Sequence, residues 1–66
     1  MAQNIVAIAV EAQTVKFALW HGQTLGPVTQ RPLPTTLAEL NETLVAGIAA
    51  VRHHATVDGV AMRVTS

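Results

Sequence analysis

Hydrophobic residues change their period along this chain, and each change marks an element. From Asn4 to Val10 both alternating sets are apolar (NIVAIAV), the pattern of a strand inside a sheet with both faces at least partly covered. From Thr14 to Trp20 the alternation sharpens. Val15, Phe17 and Leu19 fall on one face, and Thr14, Lys16, Ala18 and Trp20 on the other, as the period of two in a strand requires. The polar run His21-Gly22-Gln23-Thr24 predicts a turn, and Leu25 to Leu33 reads as a third strand punctuated by Pro27 and Pro32. Proline donates no ladder hydrogen bond, so this strand is assigned to a sheet edge.

The period then lengthens. Thr36-Leu37-Ala38-Glu39 matches a capping box, in which the Thr hydroxyl and the Glu carboxylate each satisfy a free N–H at a helix start. A helix is predicted from Leu37 to about His53, with Leu37, Leu40, Leu44, Ile48 and Val51 forming one apolar stripe and Glu39, Glu42, Thr43 and Arg52 elsewhere on its surface. Gly47 inside that helix costs about 1 kcal/mol relative to Ala, which marks it as a point of close approach to the sheet. Val57 to Val64 supplies a fourth strand, with Val60, Met62 and Val64 on one side and Ala61 and Arg63 on the other. Asp58-Gly59 is either a tight turn or the first step of that strand.

Strands joined by short turns pair as an antiparallel meander, and a right-handed helical crossover returns the last strand parallel to the first. The predicted fold is α/β in the α+β sense: a β-β-β-α-β half of a ribonuclease H-like or actin-like domain. Its four-stranded mixed sheet runs in the order 3-2-1-4 with one helix on one face. A single helix leaves the other face open, and Ala7, Ala9, Lys16, Ala18, Trp20, Ala61 and Arg63 are assigned to it. Small residues and long amphipathic ones suit a surface that is partly wet or pairs with a copy of itself.

A chain of 66 residues is read as a single domain, 1–66, that buries roughly 60% of its unfolded surface. Conformational entropy opposes folding by about 1.5 kcal/mol per ordered residue, and with no cysteine a disulfide cannot offset it. The composition is 50% apolar and 12% charged, more apolar surface than a polar-coated monomer of this size can hide, so a homo-oligomer, a dimer in the first instance, is the expected partner. A net charge of zero offers no footprint for nucleic acid or anionic lipid. Glu11, Lys16 and His21 break the longest apolar runs well short of the roughly 20 residues of a membrane span. The start of the chain has neither a basic region nor a small-residue cleavage site, which gives a cytoplasmic address.

At the joint of the first two strands sit Ala9, Val10, Glu11, Ala12 and Gln13, where a phosphate-cradling loop would need glycines to open its backbone N–H groups toward an anion. The framework IVAI, VKFALW, HGQTLGPV, PLPTT with its helix, and VDGVAMRVTS resembles the amino-terminal segment of the ROK family of sugar kinases, repressors and open-reading-frame proteins, along the whole chain. That family carries an Asp-x-Gly-Gly-Thr signature in its first hairpin. In ungapped register Ala9 stands where the family has Asp, Glu11 and Ala12 where it has paired glycines, and Gln13 where it has Thr. Thr65 and Ser66 replace a Pro-Gly turn. Other actin-like proteins, including threonylcarbamoyladenosine accessory subunits and Holliday-junction resolvases, share a similar first hairpin, but the helix and last strand fit ROK better. The resemblance implies a nucleotide-holding backbone whose chemical positions are replaced, so it assigns no catalytic, cofactor-binding or metal-binding residue and no cofactor or small-molecule ligand.

Each remaining candidate has a plainer reading. Glu11 is a lone carboxylate at a turn, and Mg²⁺-assisted phosphoryl transfer needs several groups together. Lys16 follows no Gly-x-x-x-x-Gly-Lys and reads as a strand lysine with its ammonium in water. Adjacent His53 and His54 diverge by about 100° on a helix and suit the carbonyl end of its dipole. His21 belongs to a hairpin, Trp20 packs on a strand, and Ser66 has no His or Asp to activate it. The family's histidine-and-cysteine zinc motif and any Asp-His-Gly triplet are absent from the sequence. The leading expectation is a protein without catalytic activity: a kinase subdomain excised and rewritten as a free-standing, engineered mini-domain that self-associates. The rivals are an amino-terminal fragment of an ATP-dependent sugar kinase that needs its missing part, and an interaction module that docks through the open sheet face.

Overall fold

The computed structural model describes residues 3–65. Five strands and one helix follow in the order β1 (Asn4–Val10), β2 (Thr14–His21), β3 (Thr24–Leu25), β4 (Thr29–Pro32), α1 (Leu37–Arg52) and β5 (Gly59–Val64). β1 is central. It pairs antiparallel with β2 from Asn4↔His21 to Val10↔Val15 and parallel with β5 from Ile5↔Gly59 to Val10↔Val64. The strand order is β3-β2-β1-β5, with β4 also on β2, so the expected mixed sheet of one helix and a 3-2-1-last order is present.

The third strand is not one strand. Leu25 pairs with Trp20 and Thr29 with Phe17, so Gly26, Pro27 and Val28 on the edge oppose only Ala18 and Leu19 on β2. One extra residue makes this a bulge. Gly26 N–H donates to Leu19 O at 2.9 Å, and Pro27 has no N–H with which to continue the ladder. The prolines gave the edge position, but the expected single strand from Leu25 to Leu33 is instead two short ones, Thr24–Leu25 and Thr29–Pro32. The preceding turn, Gly22-Gln23, joins paired His21 and Thr24. Gly22 has φ 63, the single positive φ among the described residues, and glycine at the first central position suits the twist of a tight hairpin.

The helix starts as its capping residues require. Thr36 is extended (φ −122, ψ 155), and its Oγ1 accepts from Glu39 N–H at 3.2 Å. Of the reciprocal capping box, this is the half that forms. The helix ends one residue before the expected His53, which caps it by donating its N–H to Ala49 O at 3.1 Å.

Val6, Ile8, Val10, Val15 and Phe17 form the buried core, and Leu19, Leu33, Leu40, Leu44, Ile48, Val51 and Val57 pack against it. The predicted stripe therefore holds, except at Leu37. That residue occupies the first helical position and is 84% exposed. Gly47 is the buried residue of the helix: a Cβ built there would lie 2.5 Å from Phe17 Cζ and 2.8 Å from Cδ1. The helix thus sits on the ring of Phe17, which is only 3% exposed and has no room to swing aside.

On β5 the expected division of faces holds, but burial does not follow it. Val60, Met62 and Val64 pair with Val6, Ile8 and Val10, so they share the helix side of the sheet. They nevertheless remain 50%, 58% and 68% exposed. The cause is the seat of the helix. Gly47 rests on the ring of Phe17 in β2, and β1 lies between β2 and β5, so α1 sits away from β5. No helix is long and apolar enough to cross a membrane among the described residues.

Substitution Gly47→Ala tests this packing. Helix propensity alone would favour the change by about 1 kcal/mol, but overpacking against a buried ring costs about 1–3 kcal/mol. The expected result is a lower urea midpoint for Gly47→Ala, partly restored when Phe17→Leu is added. A midpoint raised by Gly47→Ala alone would show that the contact is slack.

Candidate functional site

The joint between β1 and β2 closes on its own backbone. Glu11 N–H donates to Thr14 O at 2.8 Å, and Gln13 O accepts from Leu33 N–H at 3.0 Å, tying the joint to the end of β4. No residue of the joint has a positive φ, so it lacks the alternation of right- and left-handed residues that turns successive N–H groups toward one anion.

The joint's side chains are likewise engaged with one another. Glu11 Oε1 lies 3.0 Å from Lys16 Nζ and accepts from Thr14 Oγ1 at 3.4 Å. Sequence reading treated Glu11 and Lys16 as separately solvated, but the hairpin brings them together: Val10 pairs with Val15 and Ala9 with Lys16, so a diagonal step separates the two charges. Their spacing across a three-residue joint was the available signal. Arg63 flanks Ala9 from the other side. The hydrogen bond from Lys16 and then its charge hold the Glu11 carboxyl below the 4.5 of an ordinary glutamate. Desolvation opposes them, and the weaker pulls of Thr14 and Arg63 act in the same direction as Lys16.

Away from the joint, the open face forms a shallow depression of about 500 Å³ whose lining includes all seven predicted residues: Ala7, Ala9, Lys16, Ala18, Trp20, Ala61 and Arg63. Leu25 and Val28 also line it, which the sequence reading missed because the bulge decides where they fall. Its floor is alanine. Ala18 is only 8% exposed and Trp20 is 38% exposed. A ligand pocket needs a few polar groups converging on an enclosed volume, whereas here the charged groups stand at one end of an open apolar floor.

A second polar cluster lies at the opposite end of β1, and sequence reasoning did not find it. Asn4 N–H donates to Asp58 Oδ2 at 2.8 Å, and Asn4 Nδ2 donates to Thr56 O at 2.8 Å. Asp58 N–H donates in turn to Asn4 O at 2.8 Å, and His21 Nδ1 meets Asn4 Oδ1. Asp58 therefore belongs to the approach to β5, and Gly59 is the first residue of that strand. His21 is the hairpin residue it was read to be. His53 and His54 end the helix with ring centroids 6.2 Å apart. No group of three or more His, Cys, Asp or Glu is arranged to hold a metal ion among the described residues. Ser66 lies outside the described residues.

The ion pair has a pH signature. A carboxyl with a depressed folded pKa contributes stability that is present above the unfolded value of 4.5 and is lost as pH falls through the folded pKa. Because both groups are partly exposed, the contribution is small and screened by salt. The carboxyl resonance of Glu11, followed by NMR, should titrate below 4.5, and Lys16→Met should move its midpoint upward. A midpoint unmoved by Lys16→Met would contradict the pairing.

No protein-family model, curated protein or solved structure matches this chain.

Proposed function

We propose that this chain is a cytoplasmic, non-catalytic α+β module that associates with copies of itself, built on a sugar-kinase-like hairpin that lacks the atoms to grasp a phosphate. The observation that carries this reading is the distribution of apolar surface. Trp20, Leu25, Val28, Leu37, Val45, Val60, Met62 and Val64 are exposed large hydrophobics, against a core of Val6, Ile8, Val10, Val15, Phe17 and Ala18. A domain that leaves this many large apolar side chains exposed beside so small a buried core gains by association. The joint adds support, since Glu11, its one carboxylate, is committed to Lys16 and Thr14 and its backbone is closed.

Sedimentation equilibrium over a roughly hundred-fold range of protein concentration should give a mass that rises from monomer toward dimer. Titration with ATP and Mg²⁺ should give no saturable heat. A constant monomer mass would overturn the self-association, and saturable nucleotide binding would favour the amino-terminal fragment of a sugar kinase instead.

A further inference from the structure

The two edges of the sheet are built differently. The β3–β4 edge is interrupted at Gly26-Pro27-Val28, carries Arg31 and ends at Pro32, devices that prevent another strand from adding. β5 has none of them. Gly59 to Val64 is unbroken, contains no proline and carries one charge, Arg63.

Its free hydrogen-bonding groups can be assigned. Thr65 N–H donates to Val10 O at 2.9 Å, and Val10 pairs with Val64. Along a parallel ladder, alternate residues bond to alternate sides. The N–H and C=O groups of Ala61 and Arg63 therefore face β1, and those of Val60, Met62 and Val64 face outward. The same three residues hold the exposed apolar side chains on the helix side of the sheet. Unpaired backbone and uncovered side chain thus coincide on three residues in a row of alternate positions.

We propose that this edge binds a second copy of the chain, β5 pairing antiparallel with β5 of the other copy about a two-fold axis through Met62. The proposal rests on the self-association argued above and names the surface that performs it. A two-fold axis perpendicular to the sheet makes the pairing antiparallel and places the same patch on both sides. Met62 is the middle of the outward-facing set, so centring the axis there sets Val60 against the partner's Val64 and matches every free donor with an acceptor, about six hydrogen bonds in all. Centring on Ala61 would bond Val60 to the partner's Met62 but set Val64 against the partner's Asp58, whose N–H already donates to Asn4 O, leaving about four bonds instead of six. In the Met62 register Arg63 falls opposite the partner's Ala61 on the other face, so no like charges confront each other. The contact is one strand wide, less than the about 800 Å² per partner of a standard interface, and the association is accordingly weak and concentration-dependent.

Because the chain has no cysteine, a single introduced thiol reports only contacts between copies. Paired Cα atoms about 5.5 Å apart are within disulfide range. Met62→Cys should therefore give a dimer without reductant under conditions that leave Trp20→Cys monomeric. Met62→Lys should weaken the dimer by about a hundred-fold, two ammonium groups meeting on the axis, with far-UV circular dichroism unchanged because residue 62 is already 58% exposed. If Trp20→Cys cross-links instead and Met62→Lys still dimerises, the open sheet face is the interface and the edge proposal fails while self-association stands. A wild-type chain that stays monomeric throughout removes both.

Discussion

The contact between the ring of Phe17 and the bare backbone at Gly47 governs the architecture. A glycine in mid-helix is unfavourable by about 1 kcal/mol, and here it lets the helix descend onto β2 until a Cβ would overlap the ring. That descent buries Phe17 and brings Leu40, Leu44, Ile48 and Val51 against the strands. Full burial of a side chain such as Phe17 contributes about 1.5–3 kcal/mol, enough to outweigh the propensity lost. A larger residue at position 47 would lift the helix from the sheet on which its apolar stripe depends.

The same contact decides what remains uncovered. A helix seated on β2 cannot also shelter β5, so Val60, Met62 and Val64 stay exposed on the side where periodicity alone would bury them. The opposite face has no helix and is floored largely by alanines. Polar groups close both ends of the central strand: Glu11, Lys16 and Thr14 at its carboxyl end, and Asn4, Asp58, Thr56 and His21 at its amino end. Between those clamps the described sheet offers apolar side chains and, along β5, unpaired backbone. Both the proposed function and the proposed pairing arise from this uneven covering.

How much of this was legible in the sequence depended on the range of the interaction. Local signals were readable: the alternation from Thr14 to Trp20, Thr36 as a cap, the prolines of an edge strand, and Gly47 as a point of close approach. The seven residues of the open face followed from alternation and pairing. What was missed depended on relations between elements. The bulge at Gly26-Pro27-Val28 is a mismatch of count between two strands, and neither strand shows it alone. Exposure of Leu37 and of the β5 row is set by the seat of the helix, which periodicity does not specify. The Glu11–Lys16 pair and the Asn4 cluster required hairpin and crossover register, for which single residues in a list give little sign.

Amide hydrogen exchange of β5 at low and high protein concentration tests the central claim most directly, because it reads each face of the strand separately. The amides of Ala61 and Arg63, bonded to β1, should be protected at both concentrations. Those of Val60, Met62 and Val64 should exchange freely when the protein is dilute and slow markedly when it is concentrated. Protection of the outward set in dilute monomer, or its continued free exchange at high concentration where the mass shows a dimer, would contradict the account.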